Sequence, residues 1–288
     1  MVKYIYTYLD EFFDLSDWND DIKGPFGLRP PPGDWAEFKA RIKELDDACA
    51  EGERVKVIYA ARHGQAEHNA VMERYNCTGH EAEQYANLLD PYLTVLGRSQ
   101  AAATASAVQR EAKRGMPLPE KWFVSPLKRA GETCGIEWGW LFGDDTSKSG
   151  GVDAAAAAAG GDLGHGVPAS VVENIREHLH VHICDSRVSV TELKTEFPSF
   201  AFPDDMSDLD TIWKSGKERD RETEEELVAR CGKGIAEVLH LSEGSTYVSV
   251  TAHSGAMRGI YKSLGVPARP LVVGEMNVLV LRVKEVQE

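Results

Sequence analysis

The chain has 288 residues, 42% of them hydrophobic, which is enough to bury a substantial core, and we favour one main domain. Its 32 basic and 46 acidic residues give a net charge of -14, which argues against a nucleic-acid-binding surface and against docking on anionic membranes. Five widely spaced cysteines without a CxxC pair indicate neither a disulfide framework nor a zinc ribbon. Acidic residues interrupt the N-terminal apolar stretch, so we expect no signal peptide and a cytoplasmic protein.

Residues 1–54 are predicted to form an extension that packs on the main domain. A proline- and glycine-rich cluster at Gly24–Gly33 precedes a predicted helix over about Trp35–Ala50. A partly ordered arm is the alternative, but it would expose the aromatic side chains of Tyr4, Tyr6, Tyr8, Phe12, Phe13 and Trp18.

Residues 55–288 alternate apolar strand patterns with helical patterns, which is typical of an α/β fold whose mostly parallel sheet is covered by helices on both faces. The predicted strands are Val55–Ala60, Trp122–Val124, Ser170–Val172, Thr246–Thr251 and Val278–Val283. Helices are predicted over Leu93–Gly115, from Leu127 onward, and around Leu227–Leu239, where apolar residues recur every four positions. The low-complexity segment at about 143–167 is expected to be a flexible surface insertion.

Two of these strands run directly into a turn that contains histidine. Arg62, His63 and Gly64 follow the first strand, and His253 with Ser254 follows the strand at 246–251. Ligands of open α/β sheets bind outside the carboxyl ends of the strands, a guanidinium can pair two phosphoryl oxygens, and glycine allows close backbone approach. The two turns therefore predict a phosphate site, with a hydrogen-bonded structural role as the alternative for each histidine.

Four segments together resemble the histidine phosphatase superfamily, the phosphoglycerate mutase-like proteins. They are Arg62–Asn69, similar to the family's RHGxxxxN signature, Asp90–Ala101, Ser125–Thr133 and Thr251–Gly255. They follow one another in the family's order within residues 55–282. The sequence around Arg62, Asn69 and residues 173–187 looks closest to that of the fungal phosphomutase-like branch. The resemblance implies a three-layer, doubly wound, phosphoglycerate mutase-like fold.

The same resemblance implies a chemistry that needs neither a metal nor a cofactor. His63 would attack phosphorus and form a phosphohistidine that water then hydrolyses. Arg62 and Arg129 would clamp the phosphoryl oxygens, His253 would donate from the opposite side, and the helix beginning near Ser254 would add its positive N-terminal end.

The general acid is expected within Glu173–His178, which resembles the family's Leu-x-Glu motif with isoleucine in the leucine place. This alignment puts Glu177 in the catalytic position, and Glu173 is the competing candidate. A solvated surface carboxylate is the alternative for either.

Gly64, Gln65, Asn69 and Ser254 complete the expected phosphate-binding set. Asn69 could instead cap a turn, and Ser254 could instead satisfy backbone groups. His68 is expected at the surface or behind the site.

A rival interpretation uses the alternating sequence at 178–184. If this segment is extended, His178, His180, His182 and Cys184 share one face and could ligate zinc or copper. A single flat strand makes such convergence difficult, and the family resemblance instead suggests that His182, Asp185 and Arg187 lie behind the site or face the substrate.

The expected function is hydrolysis of a small phosphorylated metabolite by a metal-independent phosphomonoesterase. A phosphomutase would use the same residues, but family mutases carry Glu-Ser after Arg-His-Gly, where this chain has Gln65-Ala66. A non-catalytic regulatory or metal-binding protein is the third possibility. The sequence predicts no oligomeric state.

Overall fold

The computed structural model describes residues 3–16, 25–30, 33–143, 166–267 and 269–286, and these form a six-stranded sheet in the order β1-β6-β2-β5-β3-β4. The strands are β1 (Lys3–Tyr8), β2 (Glu53–Arg62), β3 (Lys121–Val124), β4 (Ala169–Val171), β5 (Tyr247–Ala252) and β6 (Met276–Val286). β6 pairs antiparallel with both β1 and β2, whereas β2, β5, β3 and β4 pair in parallel. The predicted mostly parallel sheet is confirmed.

Helices cover both faces of this sheet. They are α1 (Trp35–Asp47), α2 (Glu67–Tyr75), α3 (Gly79–Ala82), α4 (Val95–Lys113), α5 (Lys128–Trp138), α6 (Val190–Glu196), α7 (Glu224–Leu241) and α8 (Ser254–Leu264). Side chains alternate along β2, so Val57 and Tyr59 pack with α1, α4 and α5, while Ile58 and Ala60 pack with α7 and α8. The three-layer α/β architecture follows from these two cores.

The structure differs from the sequence prediction at the N-terminal extension and at several element ends. The extension supplies a strand, β1, that the sequence analysis did not predict, although its tyrosines alternate with the strand period. α1 ends at Asp47 and β4 begins at Ala169, three residues and one residue earlier than predicted. Almost all of the predicted insertion at 143–167 lies outside the described residues.

The parallel pairing of β2 with β5 positions the two histidine turns. Arg62 lies in register with Ala252, and the His63 amide donates to the Ala252 carbonyl at 3.0 Å. The two strands therefore deliver His63 and His253 side by side. A close approach fixes the first turn, because a Cβ on Gly64 would lie 2.2 Å from the carbonyl oxygen of Gly97 in α4.

Candidate active site

Two buried imidazoles form the centre of the site. The ring centroids of His63 and His253 are 5.1 Å apart, and the two side chains are only 2% and 0% exposed. The ring of His68, from the first turn of α2, lies 6.1 Å from that of His63 and is also buried. The structure thus brings the two predicted histidines together, with the buried ring of His68 next to that of His63.

The hydrogen bond of His63 defines its tautomer. Nδ1 lies 2.6 Å from the carbonyl oxygen of Gly64, and since a carbonyl can only accept, Nδ1 carries the proton. Burial, followed by the charges of Arg129 and Arg62, lowers the pKa of His63 well below 6.5. The ring is therefore neutral, and its Nε2, which makes no hydrogen bond within the described residues, presents a lone pair.

Two arginines lie close enough to His63 for their charges to lower its pKa. Arg62 ends β2 and donates through Nη1 to the carbonyl of Leu271. Arg129, the second residue of α5, is fully buried and donates through Nη1 to Cys184 O at 2.6 Å and through Nη2 to Asp185 Oδ1 at 3.1 Å. In both guanidiniums Nε lacks an acceptor in the described structure, and buried donors of this kind normally find one.

His253 is the residue from which α8 begins. Its Nε2 lies 2.7 Å from the Ser125 hydroxyl, while its Nδ1 is buried and has no partner among the described groups. Burial, then the charge of Arg129, lowers the pKa of His253 well below 6.5. Ser254 is the first residue of α8, so the positive end of this helix opens at the site.

The structure places the two candidate acids differently. A Cβ on Gly255 would lie 2.1 Å from Oε1 of Glu177, so this carboxylate lies against the first turn of α8, and the same oxygen accepts from the His178 amide at 2.8 Å. Burial lowers the pKa of Arg62, and the negative charge of Glu177 opposes part of this decrease. Glu173 instead binds Arg176 and Arg187 at 2.8 and 3.1 Å. Geometry therefore brings Glu177 to the site and leaves Glu173 in a salt-bridge network.

Asn69 and Gln65 are both engaged by the protein. Oδ1 of Asn69 accepts from the Ala66 amide at 3.0 Å, which caps α2, as the alternative prediction for this residue had it. Gln65 receives the hydroxyl of Thr94 on Oε1 at 2.8 Å and donates through Nε2 to Glu73 at 3.2 Å. These contacts hold the turn after β2.

The acid loop, residues 173–178, is held by Arg230 of α7. Nη1 of Arg230 donates to the carbonyls of Asn174 and Arg176, and Nη2 donates to that of Glu177, all at 3.0 Å. The same guanidinium binds the Glu222 carboxylate through Nε and Nη2 at 2.7 Å. Sequence reasoning missed this contact, because nothing in the pattern of α7 separates Arg230 from a surface arginine.

Comparison with known proteins shows the family of this chain. The profile of the family described as "Histidine phosphatase superfamily (branch 1)" matches residues 58–137. A protein of Arabidopsis thaliana, "Phosphoglycerate mutase-like protein", is 30% identical over 218 residues, which cover 74% of this chain and 76% of that protein. The chain belongs to the histidine phosphatase superfamily.

Fungal proteins of the superfamily match over similar or greater lengths, as the sequence resemblance predicted. "Probable phosphoglycerate mutase" of Arthroderma benhamiae is 26% identical over 289 residues, covering 97% of this chain and 79% of that protein. Among solved structures, phosphoglycerate mutase from Bacillus anthracis aligns at 12% identity with a TM-score of 0.48, covering 80% of this chain and 89% of that one.

Within the described segment 178–184 the chain does not form the extended strand on which the metal-binding interpretation depends. His180 and Val181 have φ of 73° and 71°, so the chain turns within the described segment 178–184 and does not place alternate residues on one face. His178 donates through Nε2 to the Glu222 carbonyl at 2.5 Å, and His180 accepts from the Lys214 amide. Across the described ranges no three histidine, cysteine or carboxylate side chains are grouped to hold a metal ion.

Arg187 and Asp185 follow the acid loop and differ in their surroundings. Arg187 donates to backbone carbonyls of residues 188 and 207–209 and so supports a neighbouring loop. Asp185 binds Arg129 directly.

No helix within the described part of this superfamily member is long and apolar enough to cross a bilayer.

Proposed function

We propose that this chain is a phosphomonoesterase that hydrolyses a small phosphorylated metabolite through a phosphohistidine at His63. The observation that carries the proposal is the tautomer of His63, which leaves Nε2 unprotonated in a buried ring that lies 5.1 Å from that of His253 and on which the charges of Arg129 and Arg62 act. A neutral imidazole is a nucleophile only through its unprotonated nitrogen, and the neighbouring cations and donors suit a dianionic phosphoryl group.

The reaction proceeds in two displacements. Nε2 of His63 attacks phosphorus while the bond to the leaving oxygen breaks, and Glu177 gives that oxygen a proton. Arg62, Arg129 and His253 stabilise the charge on the three equatorial oxygens. Water then attacks the phosphohistidine, Glu177 takes the proton from this water, and the phosphorus–nitrogen bond breaks to release phosphate and restore the neutral ring.

A phosphomutase is the second candidate, because relatives of this chain carry the name phosphoglycerate mutase. It would use the same first displacement but return the phosphoryl group to a second hydroxyl. Hydrolysis is favoured here by Gln65 and Ala66, which stand where the family's mutases carry Glu-Ser. Action in the cytoplasm and without a metal rests on the sequence argument and is part of the proposal.

The test measures inorganic phosphate and isomerised product from a panel of sugar phosphates, with and without bisphosphoglycerate. We expect phosphate release without isomerisation, unaffected by EDTA, and an acid-labile phosphohistidine on the peptide that contains His63. His63→Ala should abolish turnover and the modified peptide while the circular dichroism spectrum is unchanged. Retained turnover in this variant would contradict the mechanism. Isomerisation that depends on bisphosphoglycerate would show that the chain is a phosphomutase.

A further inference from the structure

The guanidinium of Arg129 already pairs with a buried carboxylate. Asp185 is 3% exposed and accepts on Oδ1 from Nη2 of Arg129 at 3.1 Å and from the Cys184 thiol at 3.7 Å. Its Oδ2 has no hydrogen-bond partner among the described residues. A carboxylate held through one oxygen, with the other unpaired, is an incomplete ion pair in a buried position.

Other charged groups face Asp185 from each neighbouring element. Arg176 donates to the Asp185 backbone carbonyl at 2.6 Å, but its own charge is matched by Glu173 and Asp210. Glu177 in the acid loop and the exposed Arg221 act on Asp185 with opposite signs. Arg129 is therefore the counter-ion that the Asp185 carboxylate depends on.

We propose that Asp185 pairs with Arg129 while the site is empty and takes up a proton from solvent when a phosphate dianion binds this arginine. The inference rests on the proposed function, in which Arg129 binds phosphoryl oxygens. A dianion next to Arg129 places like charges around the Asp185 carboxylate, and conversion of that carboxylate to the neutral acid removes the repulsion. Asp185 is thus a positioning residue that couples anion binding to protonation.

Burial makes the Asp185 carboxylate of the free site easier to protonate than a carboxylate in water. Burial raises the pKa of Asp185 to about 7, against the opposing charge of Arg129 and with a further increase from Glu177. Bound anion raises it further, so binding draws in up to one proton when the pH is above this value. Between about pH 6 and pH 8 the affinity for a dianion should fall about tenfold by linkage.

Sulfate is the probe of choice, because its charge does not change in this range. Calorimetry at about pH 6 and pH 8, in buffers of different ionisation enthalpy, gives both the affinity and the number of protons taken up. We expect wild-type protein to lose about tenfold in affinity and to take up close to one proton at the higher pH. Asp185→Asn should bind sulfate about tenfold more tightly than wild type at about pH 8, with little pH dependence and no proton uptake.

Asp208→Asn is the matched control, because this carboxylate is exposed and binds only the amide and hydroxyl of Thr191 among described groups. It should behave as wild type. An unchanged pH dependence in Asp185→Asn, weaker binding than wild type at both pH values, or no proton uptake by wild type would overturn the inference. The last measurement needs no variant and so is independent of folding.

The two proposals fail in different ways. If Asp185→Asn binds sulfate as wild type does, and phosphate release still depends on His63, only the coupling is contradicted. A wild-type site that binds no sulfate and releases no phosphate would remove the proposed function and the coupling with it.

Discussion

Replacement of Gly255 by alanine tests whether Glu177 acts from where the structure places it. The new Cβ would lie 2.1 Å from Oε1 of Glu177, and this flexible carboxylate can withdraw whereas the backbone of α8 cannot. A side-chain shift of about 1 Å is enough to cost about 10²-fold in rate, and a positioned general acid contributes about 10² to 10⁴. We expect kcat for an alkyl phosphate to fall about 100-fold in Gly255→Ala.

The choice of leaving group makes the test specific for proton donation. p-Nitrophenolate leaves without a proton, so Gly255→Ala should lower kcat/KM, which reports the displacement by His63 and not the later hydrolysis step, far less for p-nitrophenyl phosphate than for glycerol phosphate. Gly232→Ala in α7 is the control, because its Cβ would make ordinary contact with Ser263 at 3.5 Å. An equal loss with both substrates, or no loss with either, would refute the assignment of the acid.

Three further outcomes are expected. Arg230→Lys should lower kcat about tenfold with little change in KM, because an ammonium cannot bridge the carbonyls of the acid loop. Arg219→Lys, in an exposed ion pair, should leave kcat unchanged. Equal kinetics in the two variants would contradict the positioning role of Arg230. Ser125→Ala should lower kcat/KM about fivefold, because the lost hydrogen bond to His253 is worth about 1 kcal/mol, and unchanged kinetics would contradict the contact. The pKa of buried His68 lies well below 6.5, so the unfolded chain binds this proton first and stability falls as the pH drops below 6.5. Urea unfolding should show a smaller loss in His68→Asn.

The parts of the site that follow strands could be predicted from the sequence. Val55–Ala60 and Thr246–Thr251 are short apolar runs with a histidine turn behind each, and parallel strands bring such turns to one sheet edge. The position of His253 beside His63 follows from that rule and from the family's order of motifs. The mostly parallel sheet was predictable for the same reason.

Features that depend on contacts distant in sequence could not be predicted. Alternating histidines at 178–184 have the strand period, yet His180 and Val181 adopt positive φ because contacts across the fold, such as the Lys214 amide bound to His180, override the local pattern. The choice between Glu173 and Glu177 likewise depends on which carboxylate meets Arg176 and which meets α8. Only the folded chain supplies these partners.

An acidic chain must concentrate positive charge locally if it is to bind a phosphate dianion. The arginines around the acid loop do not serve this purpose, because Arg176, Arg187 and Arg230 each have a carboxylate partner. Arg62 forms no ion pair with a described carboxylate, so its charge stays available to a ligand. Protonation of Asp185 would release the charge of Arg129 as well. The site would then gain its second unpaired cation when a dianion is present to use it, and the empty site would avoid the repulsion of two uncompensated buried arginines.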